Sequence, residues 1–364
     1  MTWGVRRVVT GHNAEGRSIV VSDGTPPGVI ATPGFGRAEL WALPAGPLHP
    51  GAQLALESAR RDLEPPPGAA TWKVLRLSPS EEAHSPSPEE RASDPRYDAN
   101  RPGFHRTDTL DWITILEGEI DLILDHDRVR LGAGDCVIQR GTWHAWQVVG
   151  ERDCVFGALM LRSDANDAAP SPTVGPRAPG EAQRVGPRRV VTQAAPGGES
   201  RCVADGEPAN VLRMEHGAGM AYSDIWQTMG PWTSPSAGGD TPGDHFEFYA
   251  VGGGAAWKHM VIPPDAALAR VDPEAMAAEY ARRAPGMATG GEHDPERAGR
   301  HRTNSIDLIQ ILSGEITLLL DEQEVDLSAG DFVVQRGTWH AWSNRGEEPC
   351  VFQAMMIATG PPTQ

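Results

Sequence analysis

The phrase AGDCVIQRGTWHAW, Ala133 to Trp146, returns as AGDFVVQRGTWHAW, Ala329 to Trp342, with only Cys136/Phe332 and Ile138/Val334 differing. A shared fold needs glycines and alternating apolar residues. It does not need both copies to end in Gln-Arg-Gly-Thr-Trp-His-Ala-Trp, so a repeated chemical role is indicated. Upstream of each phrase stands another histidine followed by a carboxylate: His105, Thr107 and Asp111 in the first half, His301, Thr303 and Asp307 in the second. On an unbroken strand the odd positions point the same way, which puts His105, Thr107, Asp111, Ile113 and Ile115 on one face. An isolated buried carboxylate is costly, so an inward Asp111 needs a partner, and a metal ion could be that partner. The turn Gln139-Arg140-Gly141-Thr142 then brings His144 onto a later strand, as its copy brings His340. Asp108 is replaced by Asn304, which leaves Asp111 and Asp307 as the carboxylates common to both sets.

The elements that position these residues are themselves repeated. RRVVTGHNAEGRSIVVSDGTPP from Arg6 matches RRVVTQAAPGGESRCVADGEPA from Arg188, ELWALPAGP from Glu39 matches DIWQTMGPW from Asp224, and TWKVLRLSP from Thr71 matches AWKHMVIPP from Ala256. HRTDTLDWITILEGEIDLILD from His105 then matches HRTNSIDLIQILSGEITLLLD from His301. From His105 onward, Ile113, Ile115, Leu122, Leu124, Val129 and Leu131 fall in short apolar runs broken by Glu117-Gly118 and Gly132-Ala133-Gly134, the punctuation of antiparallel hairpins. A repeat of this length predicts two domains, 1–162 and 188–364, joined by the Ala/Pro/Gly/Ser-rich linker 163–187. Polar insertions precede His105 and His301. In the second, Asp272 followed by Pro273 predicts the start of a short helix.

Composition narrows the function. The 364 residues carry 49 acidic against 32 basic side chains, a formal charge of −17, which repels a phosphate backbone and argues against nucleic acid. No apolar run is long enough to span a membrane and the start shows no secretory pattern, so a cytoplasmic protein without a membrane partner is expected. The four cysteines, Cys136, Cys154, Cys202 and Cys350, lack CxxC spacing and read as reduced, packed thiols. Glycine (41) and proline (32) make up about a fifth of the chain, which favours many short strands joined by turns.

In order and spacing these residues resemble the two motifs of the cupin superfamily. His105, Thr107, Asp111 and Gly118 follow the first motif, and Gly134-Asp135 leading to His144 follows the second; His301, Thr303, Asp307, Gly314, Gly330-Asp331 and His340 repeat both. The whole chain is similar to a bicupin, which implies an all-β fold of two tandem jelly-roll β-barrels with short helical insertions. Thr107 and Thr303 stand where the family has a second histidine, Asp replaces the more usual Glu, and Gln139 or Arg140 stands where proline is common.

The resemblance implies a divalent metal in each barrel, held by His105, Asp111 and His144 and again by His301, Asp307 and His340. Such a two-His, one-carboxylate set suits Fe(II), with Zn(II), Mn(II) or Ni(II) as competitors. Thr107, Gln139 and Trp146, with Thr303, Gln335 and Trp342, are the further pocket candidates. For Trp143/Trp146 and Trp339/Trp342, core packing outweighs substrate contact, one of each pair facing inward. Arg140 and Arg336 are expected in solvent or beside carboxylates, and Trp72 and Trp257 in the core. The implied function is a metal-dependent enzyme acting on a small oxygenated, aromatic or carboxylic molecule, most readily an oxygenase. A Lewis-acid isomerase, cyclase or decarboxylase is the alternative, and a non-catalytic small-molecule binder is the rival from another class. Exposed sheet edges would also allow a homo-oligomer.

Overall fold

The computed structural model describes residues 3–359 apart from 55–63, 81–85, 164–185, 229, 233, 235–236, 241–245, 251, 289–290, 295 and 298. Of the expected linker 163–187, residues 164–185 therefore lie outside the described residues. The chain is built of strands with a few short helices, arranged as two jelly-roll barrels. Each barrel pairs an eight-stranded sheet with a three-stranded one. The smaller sheets are Ala145–Val148, Glu119–Ile123 and Arg128–Gly132 in the first half, and Glu324–Ser328, Glu315–Leu319 and Ala341–Ser343 in the second.

The large sheets do not follow the halves of the sequence. The hairpin Arg7–His12/Ser18–Gly24 joins the second half's sheet, where Arg7–His12 runs parallel to Phe332–Arg336. Reciprocally, Arg189–Ala194/Ser200–Gly206 joins the first half's sheet alongside Cys136–Arg140. Ion pairs fasten each exchanged hairpin: Arg6 to Asp331 and Asp23, and Arg188 to Asp135 and Asp205. This exchange is invisible to hydrophobic periodicity, which reports which face is buried and not which strand lies alongside.

Alternation sorts the side chains. Along Ala70–Leu77, Trp72 and Val74 enter a core shared by both halves, whereas Lys73, Leu75 and Leu77 face the barrel interior. Along Thr109–Glu117, Leu110 and Trp112 enter the shared core while Asp111 and Ile113 face inward. Trp41, Trp72, Trp112, Trp226 and Trp257 are all at most 1% exposed, and Trp112 stacks on Trp257 with ring centroids 5.7 Å apart. Trp72 and Trp257 are thus structural. At the centre of this core the copies differ: Gln353 accepts from the Thr114 hydroxyl at 2.6 Å and the Gln310 amide at 2.8 Å. A side chain at Gly157 would collide with Gln310, 2.7 Å from a Cβ placed there.

The tight turns obey local sterics. Gly118 and Gly314 hold φ near +75° and +74°, and a Cβ at either would press on a backbone carbonyl, that of Asp153 or Pro349, at 2.5 and 2.7 Å. The helix Pro273–Arg283 forms where expected, with the Asp272 carboxylate accepting from the amides of Glu274 and Ala275. The first insertion carries the helix Pro88–Ser93, closed by a reciprocal cap between Ser87 and Glu90. All four cysteines are free, and burial pushes their thiols well above the usual range. Among the described residues no helix is long and apolar enough to cross a membrane.

The exchange makes each half dependent on the other. Expressed separately, residues 1–162 and 188–364 each lack the hairpin that lines the edge of their own sheet, and each should aggregate or unfold without cooperativity. Mixing the two should restore a cooperative transition in circular dichroism; a monomeric, cooperatively folded half on its own would contradict the exchange.

Candidate functional site

The interior of the N-terminal barrel holds a cavity of about 280 Å³, and His105, Thr107, Asp111 and His144 all line it. The expected strand is not unbroken: the ladder begins at Thr109, and His105 sits in an isolated bridge opposite His144. Inward alternation nevertheless holds for His105, Thr107, Asp111 and Ile113. Ile115 continues it, fully buried with Ile113 in the apolar cluster of this barrel, though it does not line the cavity. Each of the two histidines donates its amide to the other's carbonyl at 2.8 Å, and the rings lie 4.3 Å apart.

The imidazoles are oriented by the backbone. His105 Nδ1 lies 2.9 Å from the Gly103 carbonyl and His144 Nδ1 lies 2.9 Å from that of Thr142, so in both rings Nε2 is left for the cavity. This is the arrangement that fixes the tautomer of a metal-ligating histidine. Burial lowers the pKa of both rings and keeps them neutral. The repeated phrase supplies the support. Gln139 donates from Nε2 to the hydroxyl and carbonyl of Thr142, Thr142 donates to the Thr192 hydroxyl at 2.9 Å, and Thr192 receives the Arg140 amide at 3.1 Å. Thr192 comes from the exchanged hairpin, so the second half of the chain braces the turn that carries His144. Gln139 is therefore a brace residue and does not line the cavity, which corrects its expected place in a pocket; Gln335 bonds Thr338 in the same way.

Asp111 is 4% exposed, and its Oδ1 is buried without a hydrogen-bond partner. Burial raises its carboxyl to about 7 against the restraining effects of Thr109 and the Lys73 charge. Lys73, Arg37 and Tyr97 also line the cavity, and the sequence reading missed them. A usable signal existed for Lys73, a cation at an inward position of an apolar strand and repeated as Lys258. Burial lowers its ammonium to about 8. Phe35, Ile113, Trp146 and Phe156 form an apolar wall, so Trp146 is the inward member of its pair. Trp143 stacks on Phe104 outside the cavity lining, under Arg106.

The C-terminal barrel has the same histidine frame and a different interior. His301 and His340 again lie 4.3 Å apart, with Nδ1 3.0 Å from the carbonyls of Gly299 and Thr338. Here, however, Asp307 is satisfied at both oxygens, by Ser305 on Oδ1 at 2.5 Å and Thr303 on Oδ2 at 3.1 Å. Phe246, Phe248 and Tyr249 pack against Tyr222, Met260 and Met356, the counterparts of the cavity liners Arg37, Leu75 and Met160. Trp342 packs on Phe352.

Arg140 and Arg336 are not in solvent. The Arg140 guanidinium lies over Trp226 of the other half at 5.7 Å and Arg336 over Trp41 at 5.8 Å, and burial lowers Arg140 to about 10. A second, larger cleft of about 1050 Å³ opens between the halves, but its cations are engaged, Arg6 and Arg188 in fastening the exchanged hairpins and Arg76 with Asp153 at 3.6 Å.

The donor set answers the metal expectation in part. The paired Nε2 atoms and the orphaned Asp111 oxygen suit a divalent cation chemically. Among the described residues, though, no group of three or more His, Cys, Asp or Glu is drawn together closely enough to hold a metal ion, so neither three-donor set is assembled. The fit extends to the imidazole pair.

The Cupin domain family matches residues 98–161 and 287–357. The chain is 32% identical over 152 residues to the phomopsin biosynthesis cluster protein C′ of Diaporthe leptostromiformis, covering 39% of this chain and 69% of that protein. The chain belongs to the cupin family. This bicupin is also 48% identical over 52 residues to the phomopsin biosynthesis cluster protein D of the same organism, covering 13% of this chain and 28% of that protein. Among solved structures it is similar to the putative glyoxylate induced protein of Pseudomonas aeruginosa, at 12% identity and a TM-score of 0.45, with 97% of this chain and 96% of that one covered.

Because the folded pKa of Asp111 is raised, its carboxylate penalises folding. The penalty is absent below about pH 4, grows as pH rises, and is complete above about 7. In metal-free protein Asp111→Asn should therefore add roughly 4 kcal/mol of stability at pH 8 and almost nothing at pH 4. Urea unfolding at both pH values checks this; equal stability of variant and parent at pH 8 would contradict the desolvated carboxylate.

Proposed function

We propose that this bicupin is a metal-dependent enzyme whose working site is the N-terminal barrel, acting on a small oxygenated organic molecule. The observation that carries the reading is the pair of imidazoles, both anchored at Nδ1 and both presenting Nε2 to an open cavity beside an unpartnered carboxylate oxygen. His105 and His144 would hold the metal, with Asp111 the nearest carboxylate in the cavity lining. When bound, the metal supplies Lewis acidity toward a ligand oxygen and, as Fe(II), redox chemistry of the oxygenase kind.

The chain's own residues do the rest. Thr142 and Thr192 hold His144 in register, so its ring needs no reorganisation to meet a ligand. Asp111, in the cavity lining, would be the carboxylate to accept a proton from a bound hydroxyl, and Phe35, Trp146 and Phe156 would exclude water from that exchange. The C-terminal barrel is assigned a structural role, since Asp307 is satisfied internally and aromatic side chains pack on the lining positions. The relative named for a biosynthesis cluster supports a small natural product as the kind of substrate. A non-catalytic binder is the second reading, favoured by the incomplete donor set.

Elemental analysis after incubation with Fe(II) or Zn(II) separates these readings. One metal per chain is expected, lost in His144→Ala and retained in His340→Ala, because two imidazole donors hold metal weakly and removal of either is decisive. No stoichiometric metal in the parent protein would favour the binder. Equal loss in both variants would assign sites to both barrels.

A further inference from the structure

The connection before the strand Ala255–Ile262 shows what a barrel interior of this chain can hold. It packs Phe246, Phe248 and Tyr249 among Tyr222, Met260, Trp342, Phe352 and Met356. These five are the counterparts of Arg37, Leu75, Trp146, Phe156 and Met160, all of which line the N-terminal cavity. Phe248 meets Tyr222 edge-on with ring centroids 5.3 Å apart, and Phe246 lies 5.0 Å from the Lys258 ammonium. Burial and then the charge of Asp307 push the Tyr249 phenol up, so that residue lies beside the carboxylate of the histidine frame. The backbone of the segment is held as well. The Phe246 amide donates to the Arg283 carbonyl at 3.0 Å, Lys258 donates to the Glu247 carbonyl as well as to Asp224, and Gln227 donates to the Tyr249 carbonyl at 3.4 Å. A short stretch of the chain thus sits in this barrel as a bound peptide would.

The first half does not carry the same rings. The connections 44–69 and 229–254 are equal in length, and at the places of Phe246, Phe248 and Tyr249 the first has Arg61, Leu63 and Glu64. Glu64 turns to Arg96 and Arg162 at 3.4 and 3.3 Å, while Leu48 and Ala52 enter the shared core. Its barrel has the cavity of about 280 Å³, with Lys73 at the place of Lys258 and Trp146 and Phe156 at those of Trp342 and Phe352.

We propose that the N-terminal cavity takes from outside what the C-terminal barrel takes from its own chain: a short peptide that seats an aromatic side chain against Trp146 and Phe156. A ring suits this wall because buried aromatic pairs add edge and stacking contacts to the area they bury. Peptide backbone suits it because the matching wall already meets a carbonyl with an ammonium, as Lys258 meets Glu247. The seated residue then lies among His105, His144 and Asp111, as Tyr249 lies beside Asp307. This names a substrate class for the proposed function and rests on the N-terminal barrel being the working site, though not on the metal.

Calorimetric titration of the full chain with acetyl-Phe-Glu-Phe-Tyr-Ala-amide, the sequence of residues 246–250, against acetyl-Ala-Glu-Ala-Ala-Ala-amide and 4-methylphenol tests the proposal. The aromatic peptide should bind at least about tenfold more tightly than either control. Ala158→Phe, which puts a ring into the cavity, should weaken it at least about tenfold, and His340→Ala should leave it unchanged. If Ala158→Phe does not fold, Trp146→Ala decides, with the same loss expected. No binding of the aromatic peptide, equal binding of the alanine peptide, or binding that survives the cavity variant would overturn the proposal. So would 4-methylphenol binding as tightly as the peptide, which would assign the cavity to a ring alone, or loss confined to His340→Ala, which would move the peptide to the other barrel. Metal uptake is read separately: peptide binding without uptake sinks the metal and upholds the peptide, and uptake without peptide binding does the reverse.

Discussion

A hydroxyl contact across the two halves of the chain sets up the site. Thr142 meets Thr192 in the first barrel, and Thr10 meets Thr338 at 3.0 Å in the second. Each contact ties the turn before a functional histidine to a hairpin contributed by the opposite half. The contact exists only because the hairpins are exchanged, and the exchange pairs the strands Cys136–Arg140 and Phe332–Arg336, whose backbone groups would otherwise stand unpaired at an edge. Extending the sheet and orienting the imidazole are thus one structural event. The repeated phrase follows from this. Gln and Thr form the brace, Gly141 and Gly337 turn the chain at φ +59° and +58°, and His receives the fixed geometry.

From one motif the two barrels reach different ends through residues outside it. In the first, Asp111 keeps an oxygen without a partner in a cavity walled by Arg37, Lys73 and aromatic rings. In the second, Ser305 and Thr303 satisfy Asp307, and Phe246, Phe248 and Tyr249 cover the positions that line the first cavity. Thr109 stands where Ser305 does and lowers the Asp111 carboxyl in the same way, yet Asp111 Oδ1 is left without a hydrogen-bond partner. Hydrogen bonding of a buried carboxylate and filling of the space before it are the usual ways to make a polar interior inert. Hydroxyls steady both carboxylates, and the first keeps one oxygen unmatched.

Much of this was legible in the residues. Local signals worked: the glycine turns, the Asp272 cap, the inward set His105, Thr107 and Asp111, and the family resemblance carried by the two motifs. What was not legible depended on distance. Parallel pairing of Arg7–His12 with Phe332–Arg336 leaves no trace in period or composition. The sequence reading makes Gln139 a pocket candidate, and only the position of Thr142 reveals it as a brace. Arg140 looked solvent-facing because charge usually is, but the other half lays Trp226 against it. Arg37 and Tyr222 occupy equivalent places on matching strands, and what distinguishes them is what stands in front of each.

On two equal histidine frames, we propose, the one in the N-terminal barrel takes the ligand. Anomalous diffraction from crystals soaked in Mn(II) or Co(II) tests it most directly. The account predicts a peak beside the Nε2 atoms of His105 and His144 and none beside those of His301 and His340. Peaks of equal height in both barrels, or a peak at His301 and His340 alone, would contradict it.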